Sequence, residues 1–327
     1  MYSSYSLSDW LLDGLAVLSL VGIWPRFIEP FLLFTTELTL PIPNLPVEIE
    51  GLKLLQFSDL HWHHSFSRRF AKKIFAKIRS LQPDLIVFTG DFLFRSQLQD
   101  PKELRSFLQS CSAPLGCFAV LGNHDYTRYV SVDPVGRYAE VDTTPSHTKR
   151  GWKSLFSAPI PPTGVSMPHL NQIPPHPDLV QLLQETPFRL LRNETISIQK
   201  GPQKIQITGL EEYSLGRSAP QTAFQGYDPH CPGIVLCHNP DAFLLLCNYP
   251  GDLLLAGHTH GAQLNIPLIR QRFLKLENPQ WRRSLHRIHN QWAYINRGIG
   301  GLPTLRCFSP PELTLFHLQR QKIRKEI

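Results

Sequence analysis

The stretch LLLAGHTHGAQ, residues Leu253–Gln263, joins a short apolar run to a pair of histidines. Four consecutive apolar residues followed by glycine are typical of a strand that is covered on both faces. His258 and His260 follow two residues apart, and Gly257 and Gly261 beside them allow a tight turn. Two imidazoles at the end of a buried strand indicate a binding site, to which other strands should contribute.

The same pattern recurs along the chain. The matching segments are LKLLQFSDLHW (52–62), PDLIVFTGDF (83–92), CFAVLGNHDY (117–126), KIQITGLEE (204–212) and GIVLCHNPD (233–241). Phe66, Phe70, Ile74 and Ile78 recur every four residues after the first of them, which indicates an amphipathic helix. Strands alternating with helices predict an α/β fold with its site at the carboxyl ends of the strands.

Five of these strand ends carry residues that bind metals. They are Asp59, His61, Asp91, Asn123, His124, His238, His258 and His260. Carboxylates, an amide and imidazoles suit Mn²⁺, Fe or Zn²⁺ better than a thiolate metal. A single buried histidine is more often a core residue, but the joint occurrence of these residue types at five strand ends favours a metal site.

The ordered motifs DLH, GD, GNHD, a histidine before Asn-Pro, and GHTH resemble those of the calcineurin-like metallophosphoesterases. The resemblance extends from about Leu52 to Leu318. It implies a four-layer α/β fold in which two packed mixed β-sheets are flanked by helices. It also implies two divalent metal ions, Mn²⁺ in the first place, with Fe or Zn²⁺ as alternatives.

Residue roles follow from the resemblance by position. One metal would be bound by Asp59, His61, Asp91 and His260; the second would be bound by Asp91, Asn123, His238 and His258. The resemblance implies that His124 is catalytic and faces the leaving group. Asp125 would be its partner.

Smaller segments such as CHNPDAF and NRGIGGLPTLRCFSPPELTLF are similar to the YkuE-like, membrane-associated branch of this family. Within it they resemble the pyrophosphatases of lipid A biosynthesis. This similarity implies cleavage of UDP-2,3-diacylglucosamine to UMP and 2,3-diacylglucosamine 1-phosphate (lipid X). Two alternatives stay open: a phosphodiesterase or phosphatase for another substrate, such as a cyclic nucleotide or nucleic acid, and a non-catalytic scaffold.

We expect residues 1–30 to be an apolar, membrane-associating segment and residues 31–327 to be the metallophosphoesterase domain that the resemblance implies. The run Trp10–Trp24 would span roughly 22 Å as a helix, short of the roughly 30 Å hydrocarbon core. We therefore expect a helix that lies on or dips into a membrane; the alternative is a helix packed on the protein's own core. The resemblance implies that this membrane surface is the cytoplasmic face of the inner membrane, with the protein peripheral or N-terminally anchored. A net charge of +7 suits contact with an anionic membrane. Neither a DNA-recognition helix nor an aromatic RNA-binding motif is evident, so no nucleic-acid partner is expected.

A proline-rich insertion extends over about residues 127–186, and we expect it to cover acyl chains through Val165, Met167, Leu170 and Ile173.

Arg95, Tyr126 and Arg128 follow metal motifs closely and are candidates for substrate contacts. The basic segment 269–289 could recognise phosphate, contact a membrane or be a solvated face. Six cysteines without a CxxC pair predict a reduced intracellular chain with packing thiols.

Overall fold

The computed structural model describes residues 6–141, 158–267, 269–272, 274–301 and 305–321. The helices are α1 (Leu7–Leu18), α2 (Arg68–Leu81), α3 (Pro101–Ser110), α4 (Pro177–Gln184) and α5 (Pro220–Ala223). The strands are β1 (Phe34–Ile42), β2 (Lys53–Phe57), β3 (Leu85–Thr89), β4 (Cys117–Val120), β5 (Val130–Val132), β6 (Tyr138–Glu140), β7 (Phe188–Leu190), β8 (Glu194–Lys200), β9 (Gln203–Gly209), β10 (Gly233–Leu236), β11 (Leu253–Ala256), β12 (Ser284–Ile288), β13 (Gln291–Ile295) and β14 (Glu312–Arg320).

Two six-stranded mixed sheets form the centre of the molecule. The first has the order β1-β14-β2-β3-β4-β7, and the second has the order β12-β13-β11-β10-β9-β8. In the first sheet β2, β3, β4 and β7 are parallel, and β14 runs antiparallel to β2. In the second sheet β9, β10, β11 and β13 are parallel, with β8 and β12 antiparallel at the edges. The predicted pair of packed mixed sheets is confirmed.

The layers follow from the two-residue period of the strands. In β2, Leu54 joins the core between the sheets, whereas Leu55 joins the core between the first sheet and helices α2, α3 and α4. In β11, Leu255 faces the inter-sheet core and Leu254 faces the outer side of the second sheet. Both faces of each central strand are therefore buried, which explains their nearly continuous apolar sequences.

The insertion packs on the domain. It contains the β5–β6 hairpin and α4, while its residues 142–157 lie outside the described residues. Leu170 and Ile173 are buried in the core next to the first sheet, and Met167 packs against them. The expectation that Leu170 and Ile173 cover acyl chains is wrong, because the protein itself occupies their apolar surface. Val165 remains 53% exposed.

The N-terminal helix is longer than the apolar run suggested. Helical structure continues from Leu7 to Phe31, and a π-helical segment, Ser19–Ile28, accommodates Pro25 without ending the helix. Its 25 residues are long and apolar enough to cross a membrane, and only 7% of the most apolar window is buried. Its described side chains up to Trp24 are exposed, whereas Pro25, Glu29 and Pro30 are buried against the domain. The length and composition of the helix are compatible with membrane association.

The six cysteines are free thiols. Cys111, Cys117, Cys237 and Cys307 are buried, and burial raises the pKa of the Cys117 thiol to about 12. A buried, protonated thiol behaves as a small apolar group, so these residues contribute packing.

The inter-sheet core should be sensitive to lost volume. We expect Leu85→Ala, at a fully buried position of β3, to lower the free energy of unfolding by about 2–5 kcal/mol because it leaves a cavity. Leu244→Ala, at a 51% exposed position, should change it by about 0.5 kcal/mol or less. Urea denaturation of both variants measures the difference, and equal losses would contradict the assignment of this core.

Candidate metal centre

The seven candidate ligands meet at the carboxyl ends of strands from both sheets. Asp59 and His61 follow β2, Asp91 follows β3, and Asn123 follows β4 in the first sheet; His238 follows β10, and His258 and His260 follow β11 in the second. All except His258 are buried, and His258 is half-buried. Each sheet therefore contributes one wall of a single polar centre.

One group consists of Asp59, His61 and His260. Nε2 of His61 lies 2.9 Å from Nε2 of His260, which lies 3.6 Å from Oδ1 of Asp59. Nδ1 of His61 donates to the carbonyl of Leu93 at 3.2 Å. That hydrogen bond fixes the proton on Nδ1 and leaves the Nε2 lone pair directed at the other two side chains.

The second group consists of Asp91, Asn123, His238 and His258. Oδ2 of Asp91 is 3.2 Å from Nε2 of His238, and Nδ1 of His258 is 3.1 Å from both that nitrogen and Oδ1 of Asn123. Nδ1 of His238 donates to the carbonyl of Thr89 at 2.7 Å. Since Oδ2 of Asp91 is also 3.5 Å from Nε2 of His61, Asp91 lies between the two groups.

These donors fit two divalent cations. Imidazole lone pairs and carboxylate oxygens face one another at about 3 Å inside a buried site, and a cation between them would satisfy them all. Burial lowers the pKa of His61 to about 4 and of His258 to about 3, so both rings are neutral, as metal ligands must be. Burial opposes ionisation of Asp91, but the neighbouring His238 outweighs it and holds the pKa of Asp91 well below the usual range.

The backbone around the centre is strained. Asp59, His61, Asp91, His258 and His260 have φ values between +44° and +68°. Each such non-glycine residue costs on the order of 1–3 kcal/mol and persists only where its surroundings impose it. Glycines make the close packing possible: a Cβ on Gly90 would meet Nδ1 of His238 at 2.5 Å, and one on Gly122 would overlap the carboxylate of Asp91.

His124 lies beside this centre. Its Nε2 is 3.9 Å from Oδ2 of Asp91, and its Nδ1 accepts a hydrogen bond from the backbone N–H of Arg95 at 2.9 Å. Burial lowers the pKa of the imidazole well below its ordinary value. The ring is therefore neutral, with its proton on Nε2, where it can donate a hydrogen bond to a substrate oxygen.

The sequence model of the calcineurin-like phosphoesterases matches residues 52–262. The chain belongs to this family. It is a metal-dependent phosphohydrolase, and the two groups of ligands described above form its candidate centre for divalent metal ions. The sequence-based identification of the family and the enzyme class is thereby confirmed.

Three curated relatives match this phosphohydrolase over most of their length and of its own. The phosphohydrolase is 39% identical over 325 residues to the UDP-2,3-diacylglucosamine pyrophosphatase LpxG of Chlamydia trachomatis serovar D, covering 96% of this chain and 98% of the relative. It is 38% identical to the LpxG of Chlamydia muridarum over 90% of this chain and 92% of that protein. It is 28% identical to the metallophosphoesterase YkuE of Bacillus subtilis over 90% of this chain and 89% of that protein.

Asp125 has a structural position in this phosphohydrolase. Its buried carboxylate accepts from the backbone N–H groups of Asp91 (2.8 Å), Leu93 (2.9 Å) and Gly122 (2.9 Å). Burial raises the pKa of this carboxyl to about 7, against these three donors, which favour the ionised form. The prediction that Asp125 is the partner of His124 is wrong. Asp125 instead joins the loops that follow β3 and β4, and the partner of Nδ1 of His124 is a backbone amide.

The three predicted substrate contacts do not line the cleft at the metal centre. Tyr126 is fully buried, and its hydroxyl accepts from the N–H of Glu212 at 3.4 Å, so it cannot touch substrate. Arg128 is exposed on the hairpin and pairs with Glu140 at 2.9 Å. Arg95 contributes its backbone to His124, and its guanidinium lies over the ring of Phe94. Chain proximity to a motif did not place these side chains in the cleft.

The cleft itself has a cavity volume of about 160 Å³ and is lined by His124, His258 and His260 together with polar groups from other segments. Sequence reasoning missed Tyr129, Ser131, Gln263 and Lys275. The ring of Tyr129 is 4.4 Å from that of His124. Lys275 belongs to the basic segment 269–289, for which phosphate recognition was one interpretation, and burial lowers the pKa of its amine. Its place in the cleft suits a phosphate oxygen.

Divalent ions should stabilise the phosphohydrolase. We expect Mn²⁺ added to metal-free protein to raise the unfolding temperature, because an ion at 100 times its Kd adds about 2.7 kcal/mol per site. Elemental analysis should find two ions per chain in the wild type and fewer in Asp91→Asn, whose carboxylate lies between the groups. Unchanged unfolding temperatures with Mn²⁺, Fe²⁺ and Zn²⁺ would contradict the metal site.

Asp125→Asn should lower the free energy of unfolding, because Asp125 binds backbone amides and is not one of the candidate metal ligands. An amide nitrogen would face backbone N–H groups that now bind an oxygen, which costs about 1–3 kcal/mol of unfolding free energy. Asp100→Asn, at an exposed position whose side chain makes no capping hydrogen bond, is the control and should change the unfolding free energy by about 0.5 kcal/mol or less. Urea denaturation checks both values, and equal losses would remove the structural role of Asp125.

Proposed function

We propose that this phosphohydrolase cleaves the diphosphate of UDP-2,3-diacylglucosamine to UMP and 2,3-diacylglucosamine 1-phosphate. The observation that carries the proposal is the 39% identity to a UDP-2,3-diacylglucosamine pyrophosphatase over nearly the whole length of both chains. The complete set of candidate ligands and His124 support an active enzyme over a scaffold of the same fold.

Two divalent ions would be held in the proposed centre. Asp59, His61, Asp91 and His260 would hold one; Asp91, Asn123, His238 and His258 would hold the other. Mn²⁺ is the metal we propose for both. When bound, such ions activate a water nucleophile and offset the negative charge of the phosphoryl oxygens.

The chain's own residues complete the reaction. Water adds to one phosphorus as the bridging P–O bond breaks, and the other phosphate leaves with the bond electrons. That leaving group is a phosphate monoester with a pKa of about 6, so it is stable as an anion and needs little proton transfer. The Nε2–H of neutral His124 then suffices to stabilise the developing charge, and the amine of Lys275 orients the second phosphate.

The membrane is the proposed place of action. The substrate is a lipid, the chain carries a net charge of +7, and the exposed N-terminal helix has Trp10 67%, Leu12 64% and Phe27 64% exposed. We propose that the enzyme acts at the cytoplasmic face of the inner membrane, anchored through this helix, with anionic lipid contacting its basic surface.

Release of UMP tests the substrate. We expect the purified protein to release UMP from UDP-2,3-diacylglucosamine in the presence of Mn²⁺. Activity should fall about 10²–10³-fold in His124→Ala, because a hydrogen bond to the leaving oxygen is lost. Asp59→Ala should abolish turnover by removing a metal ligand. Metal-dependent hydrolysis of an aryl phosphodiester without release of UMP would favour the alternative, a phosphodiesterase for another substrate.

Removal of residues 1–22 tests the anchor and retains Pro25–Phe31, which contacts the domain. We expect the activity of the truncated enzyme on substrate in vesicles to be at least about tenfold lower, because the enzyme must then reach the bilayer by diffusion from solution. Activity on a soluble aryl phosphodiester should be unchanged. Equal losses in both assays would exclude an anchoring role.

A further inference from the structure

An apolar pocket lies at the foot of the N-terminal helix, apart from the polar cleft. Its cavity volume is about 120 Å³. Its apolar wall is formed by Phe31, Phe66, Phe70, Ile299 and Leu305. None of these residues has a part in the mechanism above.

The pocket adjoins the metal centre through direct hydrogen bonds. The N–H of Gly300 donates to the carbonyl of Asp59 at 2.7 Å, and Nδ1 of His63 is 3.0 Å from the carbonyl of His61. Nη2 of Arg306 lies 3.3 Å from Nδ1 of His260. Since Gly300, His63 and Arg306 all line the pocket, its wall contacts the group formed by Asp59, His61 and His260 directly.

Around the pocket, the surface matches a lipid bilayer. Helix α2 provides Phe70 to the pocket, its N-cap Ser67 also lines it, and the helix contains no acidic residue. It carries six basic residues, Arg68, Arg69, Lys72, Lys73, Lys77 and Arg79. Nζ of Lys73 donates to the carbonyl of Phe31 at 3.0 Å, which holds α2 against the end of the apolar helix. An exposed apolar helix beside a basic one is the arrangement that anionic membranes attract.

The pocket wall is well ordered by its contacts. The rings of Phe31 and Phe70 meet edge to face at 5.6 Å between centroids, and Phe66 stacks on Trp62 at 4.8 Å. The carboxylate of Glu29 accepts from the N–H of Ser309 at 2.6 Å. The end of the N-terminal helix is therefore a fixed part of the wall.

From these observations we infer that the pocket binds an acyl chain of the substrate. The diphosphate would lie at the metal centre, with the nucleoside in the polar cleft beside Tyr129 and Lys275 and the lipid in the apolar pocket, beside Phe66 and Phe70. The inference rests on the proposed function, because it takes the substrate to be a lipid-linked nucleoside diphosphate. It assigns the lipid to the foot of the N-terminal helix and not to the insertion.

Two substitutions test the kinetic consequence. Ser65→Trp, at an exposed position on the rim, fills the pocket, and Leu305→Glu places a charge in it. We expect each to raise KM for UDP-2,3-diacylglucosamine about tenfold or more, with kcat within twofold and with unchanged hydrolysis of a soluble aryl phosphodiester. The matched controls are Ser110→Trp and Val135→Glu, both at exposed positions outside the pocket, and they should leave KM unchanged. An unchanged unfolding temperature verifies that each variant is folded.

A second measurement does not require turnover. A 16-carbon fatty acid with a diazirine in the chain is photolysed with the full-length protein, and the labelled residues are identified by mass spectrometry. We expect labels within residues 63–70 and at Phe31, and their loss in Ser65→Trp but not in Ser110→Trp. Labels confined to the insertion or to the polar cleft would overturn the acyl site.

The two measurements separate this inference from the proposed function. Release of UMP with an unchanged KM in both pocket variants would overturn the acyl site and leave the substrate assignment intact. If the wild type releases no UMP, the proposed function fails, and photolabelling alone decides the pocket. Labelling of the pocket would then support a site for another acyl lipid.

Discussion

The carboxylate of Asp91 is the contact on which the centre depends. One oxygen accepts from the N–H of His124 at 2.9 Å, and the other faces His238 and His61. Its own N–H is bound by Asp125. Because His61 comes from the first sheet and His238 from the second, this one side chain sets the spacing of the sheets at the edge where chemistry takes place. The glycines and left-handed residues nearby are what such close approach requires.

Much of this arrangement could be predicted from sequence because its signals are local. A buried strand is short and apolar, and the residue after it faces the carboxyl edge of the sheet, so the ligands were identifiable one strand at a time. That they converge required the parallel order of β2, β3 and β4 and of β10 and β11, which the family resemblance implied.

The sequence-based predictions that the structure contradicts failed for physical reasons. Tyr126 follows a metal motif directly, but the chain turns inward there and buries the ring under the insertion, whereas Tyr129 returns to the cleft. Lys275 comes from an irregular segment whose path no periodic pattern fixes. The end of the N-terminal helix was misplaced because a proline normally breaks an α-helix, and here a π-helical segment absorbs it. Asp125 was given a catalytic part because sequence cannot distinguish a carboxylate bound to backbone amides from one bound to an imidazole.

The connection between the N-terminal helix and the catalytic domain is very short. The helix ends at Phe31 and β1 begins at Phe34, whose N–H donates to the carbonyl of Pro311 at 2.8 Å. A long flexible linker would let the domain move relative to the helix, but a connection of only two residues, Leu32 and Leu33, does not. With the helix embedded in a bilayer, the metal centre would be held at a fixed distance from the lipid headgroups and in a fixed orientation. The search for substrate is then two-dimensional. The distance of the metal centre from the bilayer stays constant, and only lateral diffusion in the membrane plane brings enzyme and lipid together.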